Sequence, residues 1–237
     1  PDVAAGRASS GSFRRLVFEV PTPWQKNPDE GFRGVVAVPE LSLPPGRYDR
    51  PVTLRVGKTH SEAVVRFTTD GSAPDTSSPR FPQTLTISET TSFRIAAFRP
   101  GFVASRDVVL TFLIDADSTI PQVALTTDPH HLFSVESGIY EMGKGASPLL
   151  PHYGANFWRD WERPVAVEVF GAGGERLLSQ NAGIKIHGGW SRASPQKSLA
   201  LIARGTYGDN RFRLPVFPEK PISEFKQWLL RNSGNDW

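Results

Sequence analysis

The densest run of residues able to do chemistry lies at 184–199, IKIHGGWSRASPQKSL. Gly188 and Gly189 carry no side chain, so their backbone N–H groups can approach an anion closely. Ser191 adds a hydroxyl donor, and Arg192 and Lys197 add positive charge. Phosphate oxygens are what such a set would meet. The spacing is not the G-x-G-x-x-G of the kinase glycine loop, and Gly-Gly before Ser-Arg also reads as an ordinary β-turn. His187 stands in opposite phase to Ile186, which suits a structural hydrogen-bonder better than a catalyst.

Other candidates are thinner. Asp70 and Gly71 favour a tight hairpin turn with positive φ, and a sugar or Ca²⁺ site at Asp70 and Asp75 is the competing reading. His130, His131 and His152 could suggest a metal. The first two are adjacent and diverge on any regular element, and no carboxylate cluster accompanies them, so no metal site is expected. No Ser-His-Asp arrangement can be argued from spacing. Trp158, Trp161 and Trp190 could stack on sugar faces, or pack into a core or loop.

Elements must hold these residues in place, and most of them read as strands. Val52, Leu54 and Val56 alternate with Thr53 and Arg55, Phe93, Ile95 and Ala97 with Arg94 and Ala96, and Val108, Leu110, Phe112 and Ile114 give a last period-two run. Residues 64–69 and 85–87 add two more short apolar runs. Period-two alternation marks strands with one buried face, and turn clusters at near-regular intervals suit a sandwich. Further on, 123–125, 165–169, 177–186 and 199–203 read as strands, with a hairpin turn at 171–174. Asp128 and Pro129 read as the cap and first residue of a helix. Residues 222–231 are expected to be helical or to pass from helix to strand. Residues 1–12 are expected to be disordered or a linker.

Composition supports a β-rich class. The 237 residues include 21 Gly and 21 Pro, which implies many turns, and 38% hydrophobic residues, which suffices for real cores. That length allows two modest domains. Net charge is only +3 with no dense basic run, so nucleic acid is not an expected partner. With no cysteine there is no disulfide framework and no thiolate metal site. No stretch approaches the roughly 20 apolar residues of a membrane span. The start at Pro1 and the stop at Trp237 after an apolar run read as cuts through a longer protein.

Two resemblances organise the chain. The segment Val65-Arg66-Phe67-Thr68-Thr69-Asp70-Gly71-Ser72-Ala73-Pro74 resembles the "YTTDGSxP" hallmark of the chitobiase/β-hexosaminidase C-terminal domain, with Phe67 for the usual Tyr. The likeness extends to Pro-Gly-Arg-Tyr at 45–48 and to the run 94–105, RIAAFRPGFVAS. It covers about 38–115 and implies an Ig-like β-sandwich, an accessory in enzymes acting on surfaces or glycans. The run 184–199 resembles the "iRiHGxxSRxxPqKSlxl" signature of the CotH kinase family of spore-coat-type atypical protein kinases. TDPHHLFSVESGIY, WERPVAVEVFGAGGE and the TYGDNRF to LRNSGND stretch resemble further blocks of that family, over about 120–237. A third, shorter likeness, PTP before Asn27, is to the close of a lamin-tail-like β domain.

The resemblances imply a mainly β fold: an Ig-like sandwich at 38–115, then the β-rich N-terminal portion of an atypical kinase-like α+β domain at 120–237. Residues 1–37 would be a linker and the tail of a preceding module, and DADSTIP at 115–121 a boundary. The kinase resemblance implies nucleotide binding at Gly188, Gly189, Ser191, Arg192 and Lys197, with Asn232 and Asp236 near the cleft. Gln196 stands where a family variant has Lys, which leaves one cation fewer. ATP and Mg²⁺ would serve a parent protein that phosphorylates Ser or Thr of a surface or coat protein. The catalytic aspartates would lie beyond 237, so the fragment itself is expected to be inactive. The alternative is a non-catalytic carbohydrate- or surface-binding scaffold of a large extracellular protein. Both readings place the chain in a secreted or cell-surface bacterial-type protein, with a protein substrate or a glycan ligand as partner.

Overall fold

The computed structural model describes residues 3–8, 15–57, 59, 62–116, 119–217 and 219–233. The chain divides after Asp115 into two compact units, with the turn Asp70–Ser72 grouped apart from the strands that flank it.

In the first unit, β1 (Ala4–Arg7) pairs antiparallel with β2 (Arg15–Phe18), Ala4 standing opposite Phe18. Over the described residues 3–8 this replaces the expected disorder with a strand, and the rest of 1–12 lies outside the described residues. Ala4–Arg7 has no apolar alternation to announce a strand, and backbone pairing alone defines it. The connector then returns to β2, where Val17 and Phe32 exchange backbone hydrogen bonds of 2.8 Å.

Six strands follow: β3 (Gly46–Tyr48), β4 (Val52–Leu54), β5 (Val64–Thr68), β6 (Leu85–Ile87), β7 (Thr91–Phe98) and β8 (Val108–Ile114). One sheet has the order β3-β8-β7-β5, and the second pairs β4 with β6. Leu54 and Ile87 from the small sheet pack with Phe93, Ile95, Phe112 and Ile114 from the large one in a single core. The result is a β-sandwich built on alternating side chains. Phe112 is fully buried and lies 6.1 Å from Phe93, ring centre to ring centre.

The run 94–105 is legible as structure. Phe102 N–H donates to Arg99 O across a turn in which Gly101 has φ 76°. A glycine there avoids the cost of positive φ. Ser105 is buried, and its hydroxyl accepts from Ala97 N–H at 2.9 Å and donates to Arg106 O at 3.0 Å. After β5, however, the Asp70-Gly71 turn does not close a tight hairpin. The chain runs on to Arg80 before it bridges back to Arg66, and the sheet neighbour of β5 is β7.

The second unit is a five-stranded antiparallel sheet. Its strands are β9 (Gln122–Thr126), β10 (Arg163–Phe170), β11 (Arg176–His187), β12 (Ser198–Ile202) and, beyond the short pair β13 (Phe212–Arg213) and β14 (Glu224–Phe225), β15 (Gln227–Leu230). Their order is β15-β12-β11-β10-β9. Val165, Val167, Val169, Ala182, Ile184, Ile186 and Leu201 line one buried face, covered by Ile139, Ala155, Phe157 and Phe212. The hairpin turn at 171–174 joins β10 to β11, with Gly174 at φ 87°. On the opposite face, the buried Glu168 carboxylate accepts from Arg176 Nη1 at 2.8 Å.

One helix, α1 (Pro129–Phe133), follows β9. Asp128 caps it by accepting from His130 N–H at 2.8 Å, with Pro129 in the first turn, as the sequence predicts. Residues 222–231 are not helical. Their apolar residues fit a helical face, but pairing with β12 claims them: Leu230 stands opposite Leu199 and Trp228 opposite Leu201. The ring of Trp228 then stacks on Phe212 at 4.2 Å. No helix among the described residues is long and apolar enough to cross a membrane.

Candidate functional site

The loop between β11 and β12 gathers the residues singled out by the 184–199 motif. β11 ends at His187, which is exposed, and Gly188 turns the chain with φ 114°. A Cβ at Gly188 would also sit 2.4 Å from Ser191 Oγ, so both the conformation and the space call for glycine. Gly189 precedes a single 3-10 turn, Trp190–Ala193.

Both cations of the loop turn inward. Arg192 Nε donates to Gly188 O at 2.6 Å and its Nη1 to Phe157 O at 3.0 Å. Lys197 is only 7% exposed. Its Nζ donates to Arg192 O at 2.7 Å and to Ser194 O at 3.0 Å. The same ammonium lies 4.1 Å from the centre of the Phe157 ring and 5.7 Å from that of Tyr140. Burial pushes the Lys197 amine below its ordinary value and the Tyr140 phenol above its own. Carbonyl dipoles and the ring face favour the charged amine in return. Lys197 therefore acts as a plug that fastens the 3-10 turn to the strand following it.

Asn232 joins the same cluster. Its Oδ1 accepts from the Ser198 hydroxyl at 3.1 Å, its N–H donates to Ser198 Oγ at 3.1 Å, and its Nδ2 donates to Gln196 O at 2.9 Å. The fold thus brings Gly188, Ser191, Arg192, Lys197 and Asn232 to one end of the sheet. Asp236 lies outside the described residues. Phe157 and Tyr140, which meet Lys197, were not singled out from the sequence. Both lie far from Lys197 along the chain, and no local spacing marks them.

The cluster fits a nucleotide only in part. Its positive charge suits phosphate, yet Lys197 spends two of its three N–H groups on backbone carbonyls and turns toward a ring.

The remaining candidates are held within their own loops. Asp70 Oδ1 accepts from Ser72 N–H and hydroxyl. Asp75 Oδ1 accepts from the hydroxyls and backbone N–H groups of Ser77 and Ser78, and these bonds, the Ser77 hydroxyl first, hold its carboxyl at about 2. His131 Nδ1 pairs with Thr127 Oγ1, His130 Nε2 with Ser137 Oγ, and His152 Nδ1 with Ser147 O. Among the described residues no group of three or more His, Asp or Glu side chains could hold a metal ion. Trp158 packs against the core and donates Nε1–H to Pro151 O, and Trp161 lies beside the guanidinium of Arg163. Trp190, 67% exposed, is the one of the three that presents its ring to solvent.

Residues 43–110 match the family model for the chitobiase/beta-hexosaminidase C-terminal domain. No curated protein matches the chain.

Proposed function

We propose that this chain is a non-catalytic, carbohydrate- or surface-engaging part of a secreted or cell-surface multidomain protein. The observation that carries the reading is the match of residues 43–110 to the family model for the chitobiase/beta-hexosaminidase C-terminal domain, which falls on the sandwich. In this reading the sandwich would hold a partner domain against an insoluble or repetitive surface, using the loops at its ends, which are free to vary. The inward-turned cations of the second unit agree with a structural use of that unit. Sedimentation with insoluble polysaccharides and a glycan array test the reading. Retention on at least one glycan is expected, and failure to bind any of them would contradict it.

A second reading is favoured by the assembly of Arg192, Lys197, Ser198 and Asn232 at one end of the sheet. In this reading the second unit is the nucleotide-facing portion of a CotH-like protein kinase, which would take Mg²⁺ and ATP and phosphorylate Ser or Thr of a surface or coat protein. Its catalytic aspartates would lie in other sequence. For ATP to bind, Lys197 would have to trade its carbonyl partners for phosphate oxygens. Calorimetry with Mg-ATP distinguishes the two. Heat of binding that disappears in Lys197→Ala supports the kinase reading, and its absence from a longer form of the protein removes it.

A further inference from the structure

Trp24 is fully exposed, at 103% of the reference surface, on a turn where glycine would be the easy residue. Gln25 N–H donates to Thr22 O at 3.2 Å, which closes a four-residue turn with Pro23 and Trp24 at its centre. Trp24 has φ 66°. That left-handed position after Pro ordinarily takes Gly or Asn, and a bulky side chain there is an outlier. A strained position that also exposes the largest apolar side chain gains nothing for folding, and such outliers point to a use.

The turn is also fastened. The Thr22 hydroxyl donates to Asn27 Oδ1 at 2.9 Å, and Asn27 Nδ2 donates to Arg7 O on β1 at 2.8 Å. A Cβ at Gly6 would come within 2.5 Å of that Nδ2, so the small residue leaves Asn27 its seat. Trp24 is thereby held out on a rigid tip, which lowers the ordering cost of binding through it.

We infer that Trp24 is a stacking platform for a pyranose ring of an insoluble polysaccharide. This site lies outside the matched module and rests on the glycan-engaging reading of the first unit. A protein groove or a bilayer would call for a contiguous apolar patch. In the connector, Val20 is the other exposed large apolar side chain among the described residues. Gln25 and Lys26, both exposed, follow Trp24 directly, with Asp29 and Glu30 a little further on. A flat ring with exposed Val20, Pro21 and Pro23 before it and hydrogen-bonding groups of both charge signs after it suits a neutral sugar face: apolar C–H against the ring, hydroxyls to the polar side.

The test measures depletion of the whole chain onto chitin, cellulose and peptidoglycan, with Trp24→Ala, Trp24→Phe and Trp24→Gly beside it. Trp24→Phe is expected to keep most of the binding, while Trp24→Ala and Trp24→Gly weaken it by about tenfold or more, the scale of one lost stacking contact. Trp24→Gly is further expected to melt at or above the temperature of the parent, because glycine takes φ 66° without strain. That separates lost binding from lost folding. A Trp24→Gly chain that binds like the parent overturns the Trp24 platform and leaves the glycan reading standing. A parent chain that binds no polysaccharide overturns both.

Discussion

Two loops, one in each unit, are built on a single charge of opposite sign. At 75–78 the carboxylate of Asp75 collects N–H and hydroxyl donors from Ser77 and Ser78. At 188–197 the ammonium of Lys197 collects the carbonyls of Arg192 and Ser194. The first loop lies in water and the second is closed against Phe157 and Tyr140. Water can replace any bond of the Asp75 loop that is lost. It cannot readily reach the carbonyls under Lys197, where a missing partner leaves a buried polar group unpaired. Similar local chemistry therefore has a small role in one unit and a large one in the other.

Removing the plug gives the largest effect. Lys197→Met keeps most of the volume and strands the two carbonyls, and it should cost about 2–6 kcal/mol, at the usual 1–3 kcal/mol for each buried unpaired group. Urea unfolding followed by tryptophan fluorescence measures it. A loss below about 0.5 kcal/mol, the size of an ordinary surface change, would show that the loop holds itself without the ammonium. Asn232→Ala comes next, with a loss of about 1–2 kcal/mol through Ser198 and Gln196 O. Hydrogen exchange should quicken at Ser198 and Leu199 in that variant, and unchanged exchange would cut Asn232 out of the cluster.

The Asp75 loop should respond least, and to pH. The carboxyl titrates at about 2 in the folded chain against 3.8 for the free group. Its contribution is fully present above that free value and is lost as pH falls toward about 2. Asp75→Asn removes this dependence, so its stability curve should be flatter than the parent's across that window, lie below it at neutral pH and converge with it as pH falls toward about 2. Parallel curves throughout would mean that the serine bonds form equally in the unfolded chain.

Much of this was readable from the sequence, for definite reasons. Period-two runs such as Phe93, Ile95 and Ala97 gave β7, and the Asp128-Pro129 pair marked the start of α1. β3 escaped, because Gly46-Arg47-Tyr48 has no alternation and takes its identity from a parallel pairing with β8. β15 was ambiguous, since Gln-Trp-Leu-Leu suits a helix until β12 offers an edge to pair with. At the candidate site, residue types were legible but direction was not. Arg192 and Lys197 advertise positive charge, and only the fold shows which carbonyls that charge faces. Trp24 was not singled out from the sequence: Pro at the second position suits turns of type I and type II alike, and only the second puts the next residue in the left-handed region.

The proposed engagement of a glycan surface and the use of the second unit's cations within its own loop can be tested together. Sedimentation of the intact chain with insoluble polysaccharides, with and without millimolar Mg-ATP, tests both halves at once. Retention on at least one polysaccharide, unchanged by the nucleotide, is the predicted result. No retention on any polysaccharide, together with Mg-ATP binding that depends on Lys197, would contradict it.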